Sequence, residues 1–477
     1  MGSGESDPSI VVGDGRADHM AKGRAEKQRQ QSTHAGARKA PRQSVSRSLL
    51  ALRQKAVAEP KYRFRSLYRM IDLPMLRECY HELRKSAAPG VDGVTVATYG
   101  ETLDKRLAEL LERLKTHQYR AHLVRRKYIP KPGSDKQRPL GIPVLEDKLV
   151  QLAASRILSG IHEADFLESS IGYRKGRGAR AATQTLQNDL FHGRIGWMVE
   201  ADIEGFFDNV DHDWLIKMLE QRVNDRHFLR LIRKWLKAGV LEEDGKVLHP
   251  VTGTPQGGIV SPVLANIYLH YALDLWTEKK VRRGSKGQLV YMRYADDYVC
   301  GFEHREEAER YLCAMRERLA KFGLKLAESK SGIVRFHRRD PESGMFTFLG
   351  FDFYWAKTRR HSMTVRRRTN KKKFNTALAS MKDWIQKNRH RRLRWMGEKL
   401  RQKYQGYWNY YGVIGNSHRL GCYWYETRRI LFNWLNRRSQ RRSYTWEGFD
   451  AMWKTLGIPA PRIVEKPYQR QHLLPLS

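Results

Sequence analysis

Two adjacent carboxylates, Asp296 and Asp297, stand inside the run Leu289-Val290-Tyr291-Met292-Arg293-Tyr294-Ala295-Asp296-Asp297-Tyr298-Val299-Cys300. Val, Tyr and Met are good strand formers, whereas Asp is depleted from strands. A chain that places two acids there accepts a local cost. A tight hairpin accounts for it, if its tip presents carboxylates to a divalent cation. Hard cations such as magnesium take carboxylate oxygens and keep waters for substrate phosphates. The hairpin is therefore a candidate two-metal site for phosphoryl transfer. Acids are also common in ordinary turns, so a second acidic element is needed. It lies upstream, in Gly196-Trp197-Met198-Val199-Glu200-Ala201-Asp202-Ile203-Glu204-Gly205-Phe206-Phe207-Asp208. This reads as an apolar strand ending in an acid, followed by a Gly-Phe-Phe turn. Polymerase-type chemistry needs a third carboxylate facing the hairpin tip, and Asp202 is placed to supply it.

The elements that must position these acids are legible in outline. Leu103, Leu107, Leu110, Leu111 and Leu114 recur at helical spacing. Leu123–Pro130 and Arg138–Pro143 read as two strands, with breakers in the turn between them. Helices are expected over Val144–Ile161, from the basic glycine loop Arg174–Arg180 on to Leu190, over Asp213–Ala238, and from Ser261 to Trp276 after Thr254-Pro255-Gln256-Gly257-Gly258. Strands are expected near Val334-Arg335-Phe336 and over Phe346–Phe353.

The net charge of the 477 residues is +38, with 89 Lys and Arg against 51 Asp and Glu. Such a balance points to an acidic polymer partner. Aromatics make up 10% of the chain, which suits base stacking beside phosphate neutralisation. The composition shifts near residue 356. From there to Ser477 the sequence holds 29 Lys and Arg against six Asp and Glu. Apolar stripes such as Phe374, Leu378, Met381 and Ile385 suggest helices, with Arg366-Arg367-Arg368 and Lys371-Lys372-Lys373 on the exposed face. No apolar run reaches the ~20 residues of a membrane span, so no membrane partner is expected. Nor do the first residues read as a secretory signal. The four cysteines, Cys79, Cys300, Cys313 and Cys422, form no Cys-x-x-Cys pair. That argues against a zinc site and fits a reducing compartment.

Taken in order, Asp202, Gln256-Gly257 and Asp296-Asp297 resemble the reverse transcriptases of bacterial group II introns, the intron-encoded maturase family. The resemblance spans roughly residues 62 to 455. It is carried also by Pro89-Gly90-Val91-Asp92-Gly93, Ile129-Pro130-Lys131-Pro132, Arg138-Pro139-Leu140-Gly141-Ile142-Pro143, Gly172-Tyr173-Arg174, Gly176-Arg177, Phe206-Phe207-Asp208, Ser261-Pro262, Lys330 and Phe348-Leu349-Gly350.

That resemblance implies an α+β right-hand polymerase with fingers, an antiparallel palm sheet and a thumb, followed by a helical X domain. It makes Asp202, Asp296 and Asp297, with the Ile203 carbonyl, ligands of two Mg²⁺ ions. It places Lys131 and Arg138 on the incoming triphosphate, with Gln256 and Gly257 lining the nucleotide pocket. Phe207, or its neighbour Phe206, becomes the aromatic gate that excludes a 2′ hydroxyl. Lys330 matches a lysine that protonates pyrophosphate, and Phe348-Leu349-Gly350 matches the primer grip. Arg174, Lys175 and Arg177, with Arg366, Arg367, Arg368, Lys371, Lys372 and Lys373, are candidates for RNA contact.

The domain expectation is a disordered basic arm over 1–59, a helical extension over 60–120, fingers and palm over 121–355, and a helical, strongly basic thumb and X domain over 356–477. The functional expectation is an RNA-directed DNA polymerase that binds its intron RNA as a splicing maturase. It would support retrohoming by target-primed reverse transcription, with an RNA template, DNA primer, target DNA and dNTPs as partners. No cysteine/histidine pattern for an endonuclease is seen, so the endonuclease-lacking type is expected. The expected compartment is the bacterial cytoplasm, at the nucleoid when acting on DNA. Two alternatives stand beside this reading. One is a stand-alone relative serving host defence or DNA repair; the other is a splicing-only RNA-binding maturase.

Overall fold

The computed structural model describes residues 41–130, 137–249, 251–254, 257–338, 340, 342–438 and 443–468. Four helices come first: α1 (Pro41–Ala58), α2 (Leu73–Glu82), α3 (Val96–Gly100) and α4 (Leu103–Lys115). The presence of α1 corrects the expectation of a disordered arm through residue 59. Val45, Leu52 and Ala56 are buried and Leu49 is partly buried, which is one helical face. The part of that arm before residue 41 lies outside the described residues.

An antiparallel hairpin follows, β1 (Val124–Pro130) and β2 (Gln137–Ile142), with Ile129 opposite Arg138. Then come α5 (Leu145–His162), α6 (Ala179–His192), β3 (Trp197–Ala201), α7 (His212–Leu219), α8 (Arg226–Leu236) and two short strands, β4 (Val240–Leu241) and β5 (Val247–Leu248). The single helix expected over 213–238 is thus two. The chain breaks because Asp225 caps a fresh start, its carboxylate accepting from the His227 and Phe228 N–H groups at 3.0 and 3.1 Å. Helix α9 (Ser261–Leu269) continues through π-helical stretches, His270–Asp274 and Thr277–Val281, into a last turn, α10 (Arg282–Gly284).

A four-stranded sheet around β3 is completed by β6 (Leu289–Tyr294), β7 (Asp297–Phe302) and, after α11 (Arg305–Lys321), β8 (Gly332–Arg335). Its order is β6-β7-β3-β8, antiparallel throughout. Successive side chains take opposite faces. Val199, Ala201, Tyr298 and Cys300 join one core with α5, α8 and α9. Met198, Val299 and Met292 join a second core with α6 and the next sheet. That sheet is β9 (Phe346–Phe348), β10 (Phe351–Lys357) and β11 (Met363–Thr369). The boundary expected at 356 therefore falls inside the β10–β11 hairpin, and helix begins only at Lys371. The helices are α12 (Lys371–Asn388), α13 (Leu393–Tyr411), α14 (Ser417–Leu435) and α15 (Trp446–Thr455), around a third core rich in Trp and Tyr. Among the described residues no helix is long and apolar enough to cross a membrane.

Candidate active site

The register Ala201↔Tyr298 between β3 and β7 sets Asp202 opposite Asp297 one step further on. Pleat alternation then aims Glu200, Asp202 and Asp297 at the same face, away from Ala201 and Tyr298. These acids line one cleft with Lys330 and the segment Thr347–Gly350. Asp296 occupies the two-residue turn between β6 and β7, where Tyr294 pairs with Asp297. Ala295, the first central residue, has φ +58°. A left-handed φ at the first position only is the sign pattern of a type II′ turn, which favours glycine there.

Burial pushes the Asp296 carboxyl up to about 6. Its own backbone N–H pulls the other way, the Asp202 carboxylate pushes further up, and Arg138 and Arg293 pull down. Lys330 Nζ lies 2.7 Å from Asp202 Oδ2. Among the described residues no three His, Cys, Asp or Glu side chains stand at the spacing of a formed metal centre. Ile203 is buried and bridges Leu326. The bonds of that bridge use the Asp202 carbonyl and the Glu204 N–H, not the Ile203 carbonyl.

Sequence reasoning missed Glu200. Its carboxylate accepts from the Thr347 N–H at 2.5 Å, so it ties β3 to β9. Burial raises its pKa; the Thr347 N–H opposes this and nearby Asp352 adds to it. The signal was available, because Glu200 lies two residues before Asp202 in a strand and so shares its face.

On the opposite wall, Leu349 and Gly350 form the turn between β9 and β10, with φ +49° and +76°. Tyr410 donates to the Leu349 carbonyl at 3.1 Å, and Gly350 faces the Tyr411 hydroxyl, which a Cβ would meet at 3.2 Å. The expected primer grip is thus held by α13. Phe348 and Leu349 are buried.

Phe206 is 3% exposed and packs edge-on against Tyr268. This corrects its placing in the nucleotide pocket, since it belongs to the first hydrophobic core. Phe207 stays partly exposed, and its carbonyl accepts from the Thr254 N–H at 2.8 Å. Gly257 has φ +114°, and a Cβ there would lie 2.5 Å from the Gly141 carbonyl oxygen. Glycine lets this loop touch β2, the strand that carries Arg138. Lys131 and Gln256 lie outside the described residues.

The RNA-contact candidates divide. Arg174 is buried, bonded to Glu163 at 2.8 Å and to the Leu167 and Ser170 carbonyls. Arg367 is 1% exposed and paired with Glu465 at 2.7 Å. Both leave the RNA-contact set. Arg367 points inward because it sits on a strand, β11, in which alternate residues 365, 367 and 369 are buried. Arg177 pairs with Glu168 at 2.8 Å. Arg368 lies 3.5 Å from Asp352, and Arg366 is half-buried. Lys175, Lys371 and Lys372 are exposed and Lys373 is half-buried.

Residues 129–353 match the family described as reverse transcriptase (RNA-dependent DNA polymerase). Group II intron-encoded protein LtrA of Lactococcus lactis subsp. cremoris is 39% identical over 208 residues, 43% of this chain. The matched part is only about a third (34%) of LtrA's own length. Protein YkfC of Escherichia coli is 34% identical over 293 residues, covering 54% of this chain and 76% of YkfC. Nuclear intron maturase 4, mitochondrial, of Arabidopsis thaliana is 29% identical over 27% of this chain and 16% of its own length. With the palm acids on one face and these matches around them, the chain belongs to the group II intron reverse transcriptase/maturase family.

Proposed function

We propose that the chain is an RNA-directed DNA polymerase that also binds intron RNA as a splicing maturase and supports retrohoming by target-primed reverse transcription. The observation that carries the reading is the placing of Asp202 and Asp297 one step beyond the Ala201↔Tyr298 pair of β3 and β7, on the face that looks across a cleft to the β9–β10 turn.

An all-oxygen donor set with a carboxyl pushed up to about 6 suits a hard divalent cation. Asp202, Asp296, Asp297 and the Ile203 carbonyl would hold two Mg²⁺ ions. When bound, such ions lower the pKa of a primer 3′ hydroxyl and balance charge on leaving pyrophosphate. The remaining steps fall to the chain itself. Arg138 and Lys131 grip the triphosphate, Arg138 through a forked contact. Lys330, seated 2.7 Å from Asp202, stands at the cleft to protonate pyrophosphate. The turn Leu349-Gly350 seats the primer end. Exposed Lys175, Lys371 and Lys372, with Arg366 and Arg368, neutralise template or intron phosphates.

Phe207 is the one of the two phenylalanines left to act as the sugar gate. Phe207→Val should raise ribonucleotide incorporation roughly 10- to 100-fold relative to deoxynucleotides. Matched single-nucleotide extension measures it, and unchanged selectivity removes Phe207 from the role.

The test of the whole reading uses purified protein, Mg²⁺, a primed RNA template and the RNA that flanks the coding sequence. Faster excision of that RNA together with cDNA synthesis is the expected result. Copying without excision would mean a stand-alone reverse transcriptase. Excision without copying would mean a splicing-only maturase, and neither activity would sink the proposal.

A further inference from the structure

Arg293 lies three residues before the acid pair and is fully buried. A guanidinium has five N–H donors in a fixed fork, and here every one is used. Nε and Nη2 reach the Asp274 carboxylate at 2.7 and 2.6 Å. Nη2 also donates to Ser170 Oγ at 2.5 Å. Nη1 donates to Asn266 Oδ1 at 3.1 Å and to the Ala295 carbonyl at 2.8 Å. The last bond falls on the catalytic turn itself. Asp274 is equally buried, carried on the π-helical stretch after α9, and accepts from Tyr291 at 2.7 Å as well.

The same turn is held from the side. The Arg293 N–H donates to the Ser169 carbonyl at 2.8 Å, and Ile171 returns a bond to the Arg293 carbonyl at 2.9 Å. Asn266 fixes the Gly172 carbonyl at 2.7 Å. A Cβ on Gly172 would fall 2.2 Å from the Ala295 nitrogen, so the segment touches the turn backbone directly. Ala295 needs this support. Its φ of +58° is a conformation that a side chain with a Cβ adopts at a cost.

We propose that Arg293, seated on Asp274, is a positioning residue: it holds the Ala295–Asp296 turn in its left-handed form and thereby aims the Asp296 and Asp297 carboxylates into the cleft. This rests on the polymerase reading above. A buried ion pair alone is weak evidence of function, because apolar residues often replace one without loss. The particular feature here is a saturated fork with one prong on the reacting turn, which a lysine cannot reproduce.

The test compares wild type, Arg293→Lys, Ser170→Ala, Asn266→Ala and the double variant Arg293→Lys/Ala295→Gly. Primer extension with Mg²⁺ is measured beside circular-dichroism melts and primer–template binding. Arg293→Lys should lose roughly 10- to 100-fold in kcat at a temperature where it is folded. Its primer–template affinity should stay within about threefold of wild type. Ala295→Gly should recover part of that loss, because glycine takes a positive φ without strain; a merely structural role would show no such rescue. Where Arg293→Lys does not fold, Ser170→Ala and Asn266→Ala carry the same test with smaller losses. Full kcat in the folded variants, or a loss that Ala295→Gly leaves untouched, overturns the proposal. A wild type that extends no primer overturns the polymerase reading instead, so the two failures are told apart.

Discussion

Asp296→Asn should abolish primer extension and leave the fold at least as stable as before. Burial and the Asp202 carboxylate favour the protonated form of Asp296, whose pKa rises to about 6. An unfolded aspartate titrates near ~3.9, so between these values the native state binds more protons than the unfolded state. Stability from this group is then full below about pH 4 and is lost as pH rises through about 6. At pH 7.5 without divalent cations the wild type carries an ionised, crowded carboxylate. Asparagine removes that cost, a gain on the order of 1 kcal/mol after discounting for partial exposure. On the metal-holding role proposed for Asp296, the same substitution removes a ligand oxygen charge, for a loss of roughly 1,000-fold or more in rate. Wild-type extension should also weaken as pH drops below about 6, because the proton competes for the ligand. Mg²⁺ should raise the wild-type melting point more than that of the variant, since only the former binds it well. Urea melts and primer extension on the two proteins check all of this. A variant that keeps a tenth of the rate, or that melts well below wild type in metal-free buffer, would refute the account.

The acids proposed to hold the metal were legible because they break a rule. Carboxylates inside Val- and Tyr-rich strand runs need a reason, and the register of β3 and β7 supplies it. The hairpin of β1 and β2 was legible from its breakers. What stayed hidden depended on which period a charged run obeys. Arg366-Arg367-Arg368 suggests an exposed helical face, yet on β11 the period is two and Arg367 turns inward. Its partner Glu465 is 98 residues away, a separation no local pattern reveals. Arg174 had its partner closer, at Glu163, but a nearby acid gives no sign that an arginine beside a glycine loop will be buried. Helix α1 went unread because its stripe is short: Val45, Leu52 and Ala56 are buried, with Leu49 half in, amid polar neighbours. Gly172 was noticed as part of a motif, but only the structure gives its reason, the 2.2 Å approach to Ala295.

Removing either member of the Arg367–Glu465 pair should be the most destabilising change outside the hydrophobic cores. Both side chains are essentially fully buried, at 1% and 2% exposure. Arg367 Nη2 holds both carboxylate oxygens, at 2.8 and 2.7 Å. Its other nitrogens reach Gln187 Oε1 at 2.5 Å and Thr183 Oγ1 at 2.8 Å, both on α6. Glu465 accepts in addition from the Ile414 N–H at 2.8 Å. The Val464 and Glu465 N–H groups donate to the Gly412 carbonyl, and Gln184 binds the Lys466 carbonyl. One ion pair therefore joins α6, the β11 strand, the end of α13 and the segment after α15. Arg367→Ala or Glu465→Ala leaves a buried charge without its partner, which costs about 3–5 kcal/mol. Arg367→Met/Glu465→Leu removes both charges and fills much of the space, so it should recover most of that loss. Urea unfolding of the three variants separates the terms. Single variants no worse than the double one would mean that the pair is not the lock between α6, β11 and the C-terminal helices. In that case the aromatic core of α12–α14 would have to hold those helices in place without it.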